Sequence, residues 1–231
     1  MKIVSHLLAG AFVAAGLAAA TAANAQETAP ACELHVWPTE TYIGMNLGLL
    51  SGFGIVGVVA DVAVHEKRVT TVKDLMKEWL GPGIQMEELD KLDYKQKLGL
   101  AGHQVIMHPS LPTPEEVKAD PALKQLRKDV AAKIKSGARL TDSKASCYAE
   151  LMVDYIFYYK AMMYGSNLFT NWVFRDFGTD GSKVVRTGNG QVKNPLEEFP
   201  PKTPEMIPAA KAELRDAYAK DFTEYLAKKI K

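Results

Sequence analysis

Two long alternating runs lie back to back late in the chain, and they constrain its fold more than any other feature. Over residues 147–159, Cys147, Ala149, Leu151, Val153, Tyr155, Phe157 and Tyr159 share one parity. Tyr148, Glu150, Met152, Asp154, Ile156 and Tyr158 share the other. A period of two sends alternate side chains to opposite faces of a strand. After a turn near residues 164–167, residues 168–177 (LFTNWVFRDF) return as a second strand, which predicts a long antiparallel hairpin.

Shorter signals surround it. Residues 32–37 (CELHVW) alternate in the same way, with Cys32, Leu34 and Val36 on one face and Glu33, His35 and Trp37 on the other. Thr71 and Asp74 have the spacing of a helix-capping box, Val72, Leu75, Met76, Trp79 and Leu80 follow at helical spacing, and Gly81 and Pro82 supply a stop. A weaker helical stretch covers residues 86–98, and residues 103–108 (HQVIMH) read as a short strand. Asp120 and Pro121 open another helix with Leu123, Leu126, Val130 and Ile134 as its apolar stripe and Gly137 at its end. Residues 178–190 read as a polar glycine-rich loop or a small hairpin tip, and residues 195–208 as a proline-punctuated surface segment. From residue 209 a last helix carries Leu214, Ala217, Tyr218, Phe222, Tyr225, Leu226 and Ile230 on one stripe. The order predicts an α+β fold: a small, mostly antiparallel sheet with a long hairpin, helices packed on it, and an amphipathic C-terminal helix.

Residues 1–25 have the form of an export signal: Lys2, an apolar stretch rich in Ala, Leu and Val, then Ala23-Asn24-Ala25 with small residues at the −3 and −1 positions. Cleavage after Ala25 places residues 26–231, expected as a single domain, in the periplasm or at the outer-membrane periphery. Lys2 is the one charged residue of that segment, so the chain's 28 basic residues become 27, against 27 acidic ones. Such a balance argues against a nucleic-acid partner and gives no obvious polybasic membrane patch. In an oxidising compartment Cys32 and Cys147 read as a disulfide worth roughly 4–5 kcal/mol in the chain-entropy model, the alternative being two buried thiols.

Residues 43–60 hold no charge, and Gly44, Gly48 and Gly52 recur four apart within them. On a helix this spacing lines one face and admits a second backbone closely, at about 1 kcal/mol per glycine in water. That reading gives an envelope-protein or membrane contact through residues 43–60; the alternatives are a segment buried against the protein's own sheet, an apolar loop or a ligand-cradling one. Gly52, Gly54 and Gly57 match the bare dinucleotide spacing, but they do not follow a good strand, and Asp61 comes too early to meet a ribose. No cofactor is implied.

Catalytic chemistry is equally unmarked. His35, His65, His103 and His108 form no HExxH motif, and there is no Gly-x-Ser-x-Gly elbow. Glu150 and Asp154, about 13 Å apart along a strand, are too distant for paired-carboxylate hydrolysis. Cys32 and His35 face opposite ways, which removes a Cys-x-x-His ligand pair. Tyr155, Phe157 and Tyr159 read as a packed sheet face, and Tyr148, Tyr158 and Trp172 as a binding face between sheet and helices.

The N-terminal signal with its short strand, the run LGLLSGFGIVGVVADVAVHEKR and the hairpin end NWVFRDFG resemble an uncharacterised family of exported envelope proteins from proteobacteria. The resemblance covers about a third of the mature chain and implies no site residues. The expectation is a non-enzymatic exported accessory domain that binds a partner. A small-molecule-binding protein and a hydrolase with an unrecognised site are the alternatives.

Overall fold

The computed structural model describes residues 32–47, 72–161 and 165–231. The export signal, His65, Gly48, Gly52 and all of the uncharged run beyond residue 47 lie outside them. The expected hairpin forms: β4 (Tyr148–Ala161) pairs antiparallel with β5 (Gly165–Asp176). Along the other edge of β4, β1 (Glu33–Trp37) and β2 (Tyr42–Leu47) run end to end, both parallel to it. The short β3 (Gln104–Met107) pairs parallel outside β1. A sixth strand, β6 (Arg186–Leu196), pairs antiparallel with β5. Among the described residues six α-helices complete the α+β fold: α1 over residues 72–79, α2 (Pro82–Lys91), α3 (Tyr94–Lys97), α4 (Pro114–Ala119), α5 (Pro121–Ser136) and α6 (Ile207–Lys229).

Pro38 has no N–H to give a ladder, and the chain running along β4 breaks there into β1 and β2. Opposite the break β4 carries a bulge: Val153 pairs with Trp172, but Tyr155 pairs with Asn171, leaving Asp154 as an extra residue. A bulge of one residue reverses every later side chain. Ala149, Leu151 and Val153 enter the main core, as their parity predicts, and beyond the bulge Ile156 and Tyr158 join them. Tyr155, Phe157 and Tyr159 are turned to the second face, correcting the single-face reading of residues 147–159.

Buried Gln85 of α2 repairs the backbone at the break. Its Nε2 donates to the carbonyls of Thr39 (2.8 Å) and Leu80 (2.9 Å), and its Oε1 accepts from Thr39 N (3.0 Å). Gln85→Ala leaves three buried backbone groups without these bonds, so the chemical-denaturation midpoint should drop by the equivalent of about 2–3 kcal/mol. A change within experimental scatter would show that this plug contributes nothing.

The main core lies between the first face of the sheet and α1, α2 and α6. Trp172 is surrounded by Tyr218, Phe222 and Tyr225, with ring centroids at 5.2, 5.1 and 5.8 Å. The α6 stripe is as expected, with Leu214, Ala217, Tyr218, Phe222 and Tyr225 buried. Residues 178–185 are the expected loop, and strand β6 takes residues 186–190 and the start of the proline-punctuated segment. Its glycine serves close packing: Tyr225 Oη donates to Gly188 O at 2.7 Å, and a Cβ at Gly188 would meet that oxygen at 2.7 Å.

Candidate functional site

The second face of the sheet is divided in two. Its first half is partly covered by α5 and the following segment. Trp37, Met152 and Val173 form a small apolar cluster beneath Leu111, Ile134 and Leu140. Beside it Glu150 and Arg175, both buried, form an ion pair. Glu150 also accepts from Tyr148 Oη (2.6 Å) and Leu140 N (2.6 Å). Burial, reinforced by the Glu150 charge, pushes the Tyr148 phenol far above its usual range.

Next to this pair, His35 Nδ1 and His108 Nε2 share a hydrogen bond of 2.7 Å, and His35 Nε2 meets Glu33 Oε2 at 2.9 Å. Trp37 stacks on His108 with ring centroids 4.2 Å apart. Burial, then the neighbouring His35, lowers the His108 pKa. Burial works to raise the Glu33 carboxyl, but hydrogen bonds from Ser143 and His35 outweigh it and hold the group below its ordinary value. The order Ser143–Glu33–His35 is the wrong one for a nucleophilic hydrolase. A serine is activated when histidine takes its proton, whereas the Ser143 hydroxyl here donates to the carboxylate.

The other half of this face is left open by α5. On β2, Ile43 is 38% and Met45 43% exposed, and they pair with Phe157 and Tyr159 of β4. Phe157, Tyr159 and Phe169 cluster with centroid separations of 5.4–6.3 Å, and exposed Lys193 extends over the Phe169 ring at 5.9 Å. Helix α5 lies beside this surface. It forms at the expected place, with Asp120 Oδ1 accepting from Ala122 N at 2.8 Å and Gly137 ending it at φ 75°. Yet none of its residues is fully buried, and Leu126 is 45% exposed. It carries Lys124, Arg127, Lys128, Lys133 and Lys135 against a single acid, Asp129. The even balance of the whole chain conceals this local excess of basic residues.

Between α5 and the sheet runs a cleft of ≈ 500 Å³. Val130, Ile134, Met152 and Val173 give it apolar walls, and Arg127 and Asp154 form an ion pair of 2.9 Å within it.

The structure joins Cys32 to Cys147 in a disulfide with Cα atoms 4.6 Å apart. Gly44 is in β2, opposite Tyr158, so it does not begin a helical row of glycines. Tyr148, Tyr158 and Trp172 are fully packed: Tyr158 and Trp172 belong to the main core, and Tyr148 lies under the Arg139 guanidinium at 4.5 Å. The cleft therefore lies elsewhere than these three residues indicated. No helix among the described residues is long and apolar enough to cross a membrane. No protein-family model matches the chain, and no curated protein does either.

Proposed function

We propose that this is an exported, non-enzymatic accessory domain that rests on an anionic lipid surface through the second face of its sheet. The exposed pair Ile43 and Met45 beside the Phe157–Tyr159–Phe169 cluster carries the reading. Tyr159, with an apolar body and a polar tip, suits the headgroup boundary, Phe157 and Phe169 add apolar area beside it, and lysines nearby attract anionic headgroups. Helix α5 supplies exposed Lys124, Lys128 and Lys135 on the same layer. The uncharged run continues from Leu47, the end of the strand that bears Ile43 and Met45.

Vesicle flotation of the chain beginning at Gln26 tests this. Vesicles containing phosphatidylglycerol should carry the protein upward, and phosphatidylcholine vesicles much less. Replacing both Ile43 and Met45 by Ser should weaken binding roughly thirtyfold or more, given about 1–2 kcal/mol per apolar side chain withdrawn from water. Replacing Lys124 and Lys128 by Gln should weaken it by a similar factor at low salt, at about 1 kcal/mol per charge. Protein that stays at the bottom of the gradient with both lipids would end the proposal, and so would a serine variant that floats like the parent.

A further inference from the structure

The disulfide has a third neighbour that it does not need. Cys32, His103 and Cys147 are the residues immediately before Glu33, Gln104 and Tyr148, which pair with one another across β3, β1 and β4. Backbone bonds continue the register one step back: Gln104 N donates to Cys32 O at 2.8 Å and Glu33 N to Cys147 O at 3.0 Å. Parallel, in-register neighbours project their side chains the same way. One imidazole and two sulfurs consequently stand in a row, their ligand atoms all within 4.8 Å of one another. Cys32 and His103 are half-buried, which leaves the row open to solvent.

We infer that the reduced form of this row is a binding site for a thiophilic metal ion, with Cys32 and Cys147 as thiolates and His103 as the nitrogen ligand. A set of two sulfurs and one nitrogen suits Cu(I), which accepts trigonal coordination and prefers thiolate, whereas structural zinc takes four ligands. A dithiol reductant opens the site: it gives two electrons and two protons to the Cys32–Cys147 bond and becomes a disulfide itself. Metal binding then releases the two thiol protons. The oxidised protein, with both sulfurs bonded to each other, offers His103 alone. The site is thus gated by redox state, and it is independent of the lipid-binding reading.

The test is an anaerobic Cu(I) titration of the chain reduced with tris(carboxyethyl)phosphine, with bathocuproine disulfonate as the coloured competitor. The reduced protein should withdraw one equivalent of Cu(I) and the oxidised protein none. His103→Ala should weaken Cu(I) binding by about tenfold or more, and Cys32→Ser should abolish it at the same competitor concentration. X-ray absorption of the loaded parent should report two sulfur neighbours and one nitrogen. Equal uptake by oxidised and reduced protein would overturn the inference. So would a His103→Ala variant that binds like the parent, or a reduced protein, folded or not, that leaves all the metal with the competitor.

Discussion

Arg175→Ala is expected to lower the unfolding free energy by about 3–5 kcal/mol, because it strands a buried carboxylate. Glu150 and Arg175 are 2% and 3% exposed. Besides facing each other, they tie three pieces of chain together. Arg175 Nη1 donates to Ala138 O (2.8 Å) and Lys133 O (3.2 Å), holding the end of α5. Glu150 accepts from Leu140 N on the segment that follows. Removing the guanidinium therefore orphans a carboxylate and loosens the attachment of α5 to the sheet. Replacing both partners, Glu150→Met with Arg175→Leu, should cost clearly less than Arg175→Ala, since no unpaired charge remains. Urea unfolding of the single and double variants decides between a pair that stabilises and one that only avoids a penalty. A single variant within about 1 kcal/mol of the parent would mean that water reaches the pair. The same change should speed hydrogen exchange in the last turn of α5.

Why some of this is legible in the sequence and some is not follows from the range of the interactions involved. The hairpin is legible because alternation is local to β4 and β5, and α5 because its Asp120 cap, Pro121 and Gly137 are its own residues. The bulge at Asp154 has no such local mark. Arg127 holds its carboxylate at 2.9 Å, and Thr39 Oγ1 donates to its carbonyl at 3.1 Å, both from distant segments. One inserted residue then exchanges the faces of Ile156 and Tyr158 with Tyr155, Phe157 and Tyr159. The aromatic half of the candidate site is hidden from a parity argument for that reason.

Strand β6 is hidden differently. Gly188, Asn189, Gly190 and Pro195 spell a loop, and pairing with β5 overrides them because Tyr225 needs a residue without a side chain at Gly188. The cysteine pair is legible from the even number of cysteines and the expectation of export. His103 joins it only through the parallel register of β3 on β1, which no spacing in the sequence reports. By contrast, the five basic residues of α5 are plain in the sequence and are lost only when charge is summed over the whole chain.

Asp221→Asn is expected to flatten the pH dependence of stability and to make the protein more stable than the parent above pH 8. Asp221 lies on the buried face of α6, where Oδ2 accepts from Thr170 Oγ1 at 2.7 Å and Oδ1 from Asn194 Nδ2 at 2.8 Å. Burial outweighs these two bonds and pushes its pKa up to about 8. Between the ordinary value of 3.8 and about 8, the folded state keeps a proton that the unfolded chain has released. Stability from this group is therefore greatest below pH 3.8 and is lost as pH rises through about 8, at a slope on the order of 1 kcal/mol per unit. Asparagine has no proton to lose, and its amide can accept from Asn194 while donating to the Thr170 oxygen. The two histidines whose pKa burial lowers, His103 and His108, act in the opposite sense: they cost stability as pH falls below 6.5. They are present in parent and variant alike, so they cancel in the difference. Urea midpoints at pH 5, 7 and 9 should show the variant gaining on the parent at each step and the gain levelling above pH 8. Parallel pH profiles for the two proteins would mean that Asp221 is ionised in the folded state and that its charge is held by Thr170 and Asn194 alone.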